Sequence, residues 1–210
     1  MAPSGMAPSV PPYRGKRIFD LAVLLLVAGP SLLIGAVCAL AVKATSRGPV
    51  LFRQERVGMN GKPIVVVKFR TMIDDDNPVI PSPDRITRVG RVLRRTSLDE
   101  LPQLVNVARG EMSIVGPRPT LAYQVQRWTD RQRGRLSVRP GLTGLAQVSG
   151  RNDLSWADRI EHDLAYVARQ SVRHDLAILV RTVGVMIGGE GSGATAADDP
   201  IAAVFEEATA

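Results

Sequence analysis

The amino-acid sequence predicts a mainly α-helical protein with one short β-hairpin, built as a monotopic membrane protein with an N-terminal re-entrant helix-break-helix and interfacial amphipathic helices. Three observations predict it. No charged side chain occurs between Leu21 and Val42, and an apolar run of that length reads as a membrane segment rather than a core helix. Two β-rich runs flank an Asn60-Gly61 pair, the strongest short-range hairpin signal. Beyond residue 85 apolar residues recur at spacings of three and four, the period of amphipathic helices. Composition sets the outer bounds. In 210 residues there is one Cys, so no disulfide can form within the chain, and a lone thiol fits a reducing compartment. The net charge of +7 allows anionic partners, but aromatics at 4% argue against the ring platforms on which single-stranded nucleic acids stack.

From the N-terminus, residues 1–12 repeat Met-Ala-Pro-Ser and end in Pro11-Pro12, a composition that cannot bury enough apolar area to offset ordering entropy; a disordered leader is expected. The membrane element, with its flanks, covers 13–47. Pro30 near its middle removes the hydrogen bond to the Leu26 carbonyl and pushes Gly29 away from helical geometry. Each half is about 14 to 18 Å long at 1.5 Å per residue, roughly half a hydrocarbon core. Arg14, Lys16 and Arg17 precede the run, and Lys43 and Arg47 follow it, so the positive-inside rule keeps both ends on the cytoplasmic side. A helix that dips into one leaflet and returns satisfies these constraints; a kinked spanning helix is the alternative.

The hairpin is expected from 50–57 and 63–70. A proline-rich loop carrying Asp74-Asp75-Asp76 follows, and such acids are solvated more often than ligating. Arg85, Arg88, Arg91 and Arg95 alternate with Ile86, Val89, Val92 and Leu93, predicting a helix with an arginine face and an apolar face. A second helix is expected from about 100 to 108, stopping at Gly110. Trp156, Ile160, Leu164 and Val167 share a helical stripe, and 175–186 is apolar enough to lie against lipid; for both, core packing and interfacial binding are equal readings. The cytoplasmic domain thus covers 48–188. After Arg181 no basic residue follows, whereas five acids do, so residues 1–189 hold 27 basic and 15 acidic groups, a net +12, and the tail 189–210 is acidic and expected to be disordered.

Two adjacent carboxylates, Asp99 and Glu100, directly follow the arginine face. Neighbours on a helix point about 100° apart, so they do not share a proton and should have separate tasks. A purely structural role is available to each. Ser97 and Glu100 fit a capping box, and Asp99 as N-cap would move Pro102 into the tolerated first turn. Downstream, Gly116-Pro117-Arg118-Pro119 holds Arg118 on a rigid turn, which suits bidentate contact with phosphate oxygens. Arg139-Pro140-Gly141-Leu142-Thr143-Gly144 and Gly150-Arg151 supply glycines that let backbone N–H groups approach an anion.

In order along the chain, Lys16-Arg17-Ile18-Phe19-Asp20, the segment from Gly48 to Gly58, Lys68-Phe69-Arg70-Thr71-Met72, Ser97-Leu98-Asp99-Glu100-Leu101-Pro102-Gln103-Leu104, the Gly-Pro-Arg-Pro turn and Pro140-Gly141-Leu142-Thr143-Gly144 resemble the bacterial sugar transferase family of small monotopic phosphoglycosyl transferases. The match spans about 13–188. One departure is the membrane break, Gly29-Pro30-Ser31 here where many members have Ser-Pro. The resemblance implies transfer of a sugar 1-phosphate from a UDP-sugar to polyprenyl (undecaprenyl) phosphate, with release of UMP and use of Mg²⁺, at the start of glycoconjugate or exopolysaccharide assembly. It implies Asp99 as nucleophile, forming an aspartyl phosphosugar, and Glu100 as Mg²⁺ ligand. Arg118 and Arg94 become phosphate clamps and Lys68 a further cation; Arg70, Gly141 and Thr143, in the matched segments, are assigned to substrate binding. The implied location is the bacterial inner membrane, with the catalytic domain on the cytoplasmic face. Expected partners are UDP-sugar, polyprenyl phosphate and membrane lipid, not nucleic acid; a homodimer is left open. Sugar specificity is expected in the loops near 74–83 and 147–156. The competing reading is a non-catalytic adaptor whose arginine helix binds anionic lipid and whose Asp99 is merely a cap.

Overall fold

A computed structural model describes residues 11–73, 85–150 and 154–188. The acidic loop, the residues around Arg151 and both terminal segments lie outside it, as do the expectations placed on them. The described residues are mainly helical. Helix α1 (Lys16–Thr45) opens after Gly15, whose φ of 90° is the left-handed conformation glycine adopts at no steric cost, and closes with Lys43 in its last turn, favourable to the helix dipole. The interruption expected at Gly29-Pro30 is absent: α1 is helical throughout, with Pro30 inside it. A proline costs one bond and a local clash but is accommodated in an apolar helix when its neighbours re-satisfy the backbone.

What distinguishes α1 is where it is covered. Its buried residues are Lys16, Asp20, Cys38 and Val42, all near its ends. Leu25, Leu26, Leu32 and Leu33 between them are 72–80% exposed. At the N-terminal end Arg17 donates to the Val107 and Ala108 carbonyls at 2.6 and 2.8 Å, and Asp20 accepts from Ser113 Oγ and the Ile114 amide. At the other end Cys38 and Val42 pack with Phe69 and Leu93. Both ends of α1 therefore rest on the same body, and the leucines of its middle stay uncovered.

Strands β1 (Leu51–Val57) and β2 (Pro63–Phe69) pair antiparallel, Leu51 opposite Phe69 and Val57 opposite Pro63. The Asn-Gly link is longer than a two-residue turn: a 3-10 turn, Met59–Gly61, sits within it, with Asn60 and Gly61 both at positive φ, a conformation these two residues tolerate best. Helix α2 (Arg88–Arg95) is shorter than the arginine pattern suggested. Thr87 caps it by accepting from the Gly90 amide, while Ile86 forms a β-bridge to Met72 instead and the Arg85 carbonyl accepts from the Ile73 amide. Gly90 lets α2 sit hard on the chain after β2; a Cβ there would lie 2.1 Å from the Thr71 carbonyl oxygen.

Asp99 and Glu100 occupy a 3-10 segment, Leu98–Gln103, that leads into α3 (Leu104–Arg109) and ends at Gly110 with φ 79°. Neither capping arrangement is present. Ser97 precedes the segment in the left-handed region with no side-chain cap, and Asp99 is inside the first turn. A parallel pair, β3 (Ser113–Val115) with β4 (Gly141–Thr143), was not expected, because three-residue strands carry no periodicity to read. Small helices α4 (Ala122–Gln126), α5 (Asp130–Arg133) and α6 (Leu145–Ser149) connect these to α7 (Trp156–Arg169) and α8 (Val172–Gly188).

The main core gathers Ile64 and Val66 of β2, Val107, Met112, Ile114, Val115, Val138, Val148, Tyr166, Val167 and Ile178. This separates the two readings left open for the last helices. Ile160, Tyr166 and Val167 of α7 are buried, so its stripe is core. On α8, Asp175 and Ile178 point inward, while Val172, Leu176, Val180 and Val183 remain exposed on an outward apolar face.

Candidate active site

The centre of the site is Glu100. Its Oε1 accepts from Lys68 Nζ at 2.7 Å and from Arg118 NH2 at 2.7 Å, and Arg118 NH1 lies 3.4 Å from Oε2. Three separate pieces of chain meet there: β2 supplies Lys68, the 3-10 segment Glu100, and the turn after β3 Arg118. Burial alone would raise the Glu100 carboxyl, but Arg118 and Lys68 outweigh it and hold the group at about 2. Arg118 is raised, chiefly by Glu100, and its side chain is still 51% exposed, so one edge of the guanidinium is bound and another is open.

Asp99 differs from its neighbour. Among the described residues no hydrogen bond or ion pair reaches it. Its pKa is raised by burial and then by the Glu100 charge, with Lys68, Arg118 and Arg94 pulling the other way. The two carboxylates are thus split by environment: one is pinned and held ionised well into the acid range, the other unpinned and more basic. Arg94, on the last turn of α2, is steered by a hydrogen bond from its Nε to Thr71 Oγ1 at 2.8 Å. Lys68 is lowered by burial and by Arg118, against the pull of Glu100 and Asp99.

The turn that carries Arg118 is held on every side. The Gly116 amide donates to the Thr143 carbonyl at 2.9 Å and the Gly141 amide to the Pro117 carbonyl at 2.8 Å. Arg135 donates to the Arg118 carbonyl at 2.9 Å and is paired with Asp163, both side chains almost fully buried. The Val57 amide reaches the Thr120 carbonyl, and Arg56 approaches that of Pro119. Arg56 itself is anchored by Gln54 Oε1; burial and the nearby Arg118 charge push it down to about 10.

Five of the expected residues, Asp99, Glu100, Lys68, Arg94 and Arg118, therefore share one electrostatic site. The other three have different surroundings. Arg70 donates to the carbonyl and hydroxyl of Ser46 at the end of α1. Gly141 is scaffold, because a Cβ there would lie 2.1 Å from the Gly116 nitrogen. Thr143 Oγ1 is 2.8 Å from Thr182 Oγ1 on α8. Arg56, Gln54, Arg135 and Asp163 escaped sequence reasoning. Gln54 and Arg56 stand at the alternation of one strand face, a signal that was there to find; nothing local separates Arg135 from Arg131 and Arg133.

With Lys68, Arg94, Arg118 and Arg56 set against two carboxylates, the site carries excess positive charge, suited to a polyanionic ligand such as a diphosphate. Among the described residues there is no group of three or more His, Cys, Asp or Glu that could hold a metal alone. The stability consequence has a definite sign. Glu100 is depressed on folding, so it stabilises the fold above its ordinary pKa of 4.5, and that contribution is lost as pH falls toward about 2. The size is on the order of 3 kcal/mol. In an acid titration of thermal stability, Glu100→Gln should flatten the fall between those pH values; an unchanged fall would mean the pairing contributes nothing.

A long, largely uncovered apolar helix carries a domain whose cationic site surrounds two carboxylates, a set with the chemistry of an enzyme acting on phosphorylated substrates. A family profile described as bacterial sugar transferase matches residues 12–189. The chain is 42% identical over 181 residues to an uncharacterized sugar transferase, EpsL, of Bacillus subtilis, covering 84% of this chain and 89% of that one. It is 43% identical over 199 residues to a UDP-glucose:undecaprenyl-phosphate glucose-1-phosphate transferase of Caulobacter vibrioides, covering 87% and 73%. It is 46% identical over 184 residues to the protein of that name from Klebsiella pneumoniae, covering 80% of this chain but 39% of the relative. The chain belongs to the bacterial sugar transferase family.

Proposed function

We propose that this protein moves a sugar 1-phosphate from a UDP-sugar to polyprenyl (undecaprenyl) phosphate, the first membrane step of a bacterial exopolysaccharide or other glycoconjugate. The observation that carries the reading is the split pair, an unpinned and more basic Asp99 beside a Glu100 locked by Lys68 and Arg118. An Asp99 oxygen attacks the sugar-linked phosphorus; the bond from that phosphorus to the bridging oxygen breaks, and UMP leaves with the electron pair. A phosphate oxygen of the lipid then attacks the same phosphorus, the bond to Asp99 breaks, and the carboxylate is restored with the lipid diphosphate sugar as product. Lys68, Arg94 and Arg118 hold the diphosphate against the repulsion that an attacking carboxylate would meet. The donor set suits Mg²⁺, which takes one or two carboxylates and completes its shell with water and substrate phosphates; Glu100 would hold it. Bound there, Mg²⁺ would neutralise charge on the departing phosphate.

The same reading seats α1 in one leaflet of the inner membrane, with the domain on the cytoplasmic face. In support, both ends of α1 bear on one body while its leucine-rich middle is exposed. A straight helix of 30 residues would be about 45 Å long and would part its ends across a bilayer. Anchored this way, Asp99 meets the lipid phosphate at headgroup depth. Single cysteines at Tyr13 and Arg47, with Cys38 removed, should both react from the cytoplasmic side; labelling from opposite sides would refute the re-entrant form. For the chemistry, a panel of UDP-sugars with polyprenyl phosphate, read as UMP release, should find a substrate. Without acceptor the chain should gain the mass of a sugar phosphate. No UMP from any member would overturn the proposal and favour a non-catalytic adaptor.

A further inference from the structure

Helix α2 divides its arginines between two tasks. At 100° per residue, Arg88, Arg91, Val92 and Arg95 fall within an arc of about 100°, and all four are exposed, Val92 to 60%. Arg94 lies off that arc and is tied to Thr71 beside Asp99. The opposite side is buried, with Gly90 against the Thr71 backbone and Leu93 packed among Cys38, Val42 and Phe69, Val89 joining them. The outward arginines therefore have no part in the site and none in the core. Among the described residues no hydrogen bond or ion pair holds their side chains.

Their depth follows from what α2 sits on. Cys38 and Val42 belong to the last two turns of α1, immediately before exposed Lys43 and, past the helix end, exposed Arg47. If α1 lies in lipid, that charged end marks the headgroup layer, and α2 is packed against it. An exposed valine among three guanidiniums then has a physical reason. The charges meet lipid phosphates while the small apolar side chain enters the layer beneath, as on interfacial basic helices.

We propose that the outward face of α2, Arg88, Arg91, Val92 and Arg95, is a docking surface for anionic phospholipid headgroups of the bulk membrane. It fixes the tilt of the domain, and so the height of Arg94 and Asp99 above the bilayer. The inference rests on the membrane seating proposed above. The test is a polarity-sensitive fluorophore at Val92→Cys in a Cys38→Ala background, with the full chain in lipid nanodiscs. In discs containing phosphatidylglycerol the emission should shift to the blue relative to phosphatidylcholine discs. The shift should vanish at high salt, where such attraction is screened, and in the combined R88Q, R91Q and R95Q variant, whose melting temperature in detergent should match the parent. Equal emission in both disc types would overturn the proposal while leaving the membrane seating intact. So would a shift given by phosphatidylcholine discs doped with polyprenyl phosphate and not by phosphatidylglycerol, since the face would then read the substrate. Failure of the chain to enter discs at all would overturn both. The salt titration on the parent chain keeps the test decisive if the triple variant misfolds.

Discussion

Asp99→Asn is expected to abolish turnover, lowering UMP release by a factor on the order of 10⁴, while leaving the fold intact. The amide is nearly isosteric but cannot serve as an anionic nucleophile. No hydrogen bond is lost in the exchange, because none of the described residues bonds to Asp99. The stability effect runs the opposite way from that of a structural carboxylate. The folded pKa of Asp99 is raised, by burial first and Glu100 second, so its ionisation weighs against the native state, a loss that sets in as pH rises past its unfolded pKa. At neutral pH the asparagine variant should melt at the same temperature as the parent or higher. An inactive variant with a lowered melting point would return Asp99 to a structural role. Full activity would remove it as nucleophile. The same elevation gives the parent a recognisable pH profile: kcat/KM should fall on acidification with a midpoint above that of an ordinary aspartate.

Lys16→Met is expected to cost the most stability, about 3–5 kcal/mol, the usual penalty for stripping one partner from a buried ion pair. Lys16 lies 2.6 Å from Asp175 Oδ2 and 3.3 Å from Asp20 Oδ1, and both carboxylates are fully buried. Tyr13 and Tyr166 also donate to Asp175, and Ser113 and the Ile114 amide to Asp20. These bonds are no substitute for a cation between two acids. The cluster joins α1 to β3 and α8, so its loss should free the N-terminal end of α1 as well. Adding Asp175→Asn to Lys16→Met should recover a large part of the stability by removing one uncompensated charge. If the single variant melted within a degree or two of the parent, the cluster would be ornamental to the fold.

The two predictions concern residues that the sequence displays very differently. Asp99 and Glu100 stand adjacent after a run of arginines and were legible as a pair. That they should have separate tasks was legible too, but the electrostatic split between them was not, because it depends on Lys68 and Arg118, 32 and 18 residues from Glu100 in the chain, arriving at the same carboxylate. Lys16 read only as a flanking cation of an apolar run. Its burial follows from Asp175, 159 residues away. Arg70, Gly141 and Thr143 carry the converse lesson, for residues inside the same matched segments as the site are found bracing α1, β3 and α8.

Local rules did specify what local physics controls. The uncharged run from Leu21 to Val42 demanded a long apolar helix, Asn60-Gly61 demanded a reversal through positive φ, and Gly110 stopped a helix where a left-handed residue was needed. Each rests on interactions within a few residues of the chain. The tertiary structure alone decided that α7 faces the core while α8 keeps an apolar face outward, that both ends of α1 return to one body, and that the Arg118 turn is clamped by β1, β4 and Arg135. Those are matters of long-range packing and of charge brought together across the fold. A helix shows which of its residues are apolar but not what covers them, and a carboxylate's pKa is set by neighbours that only folding supplies.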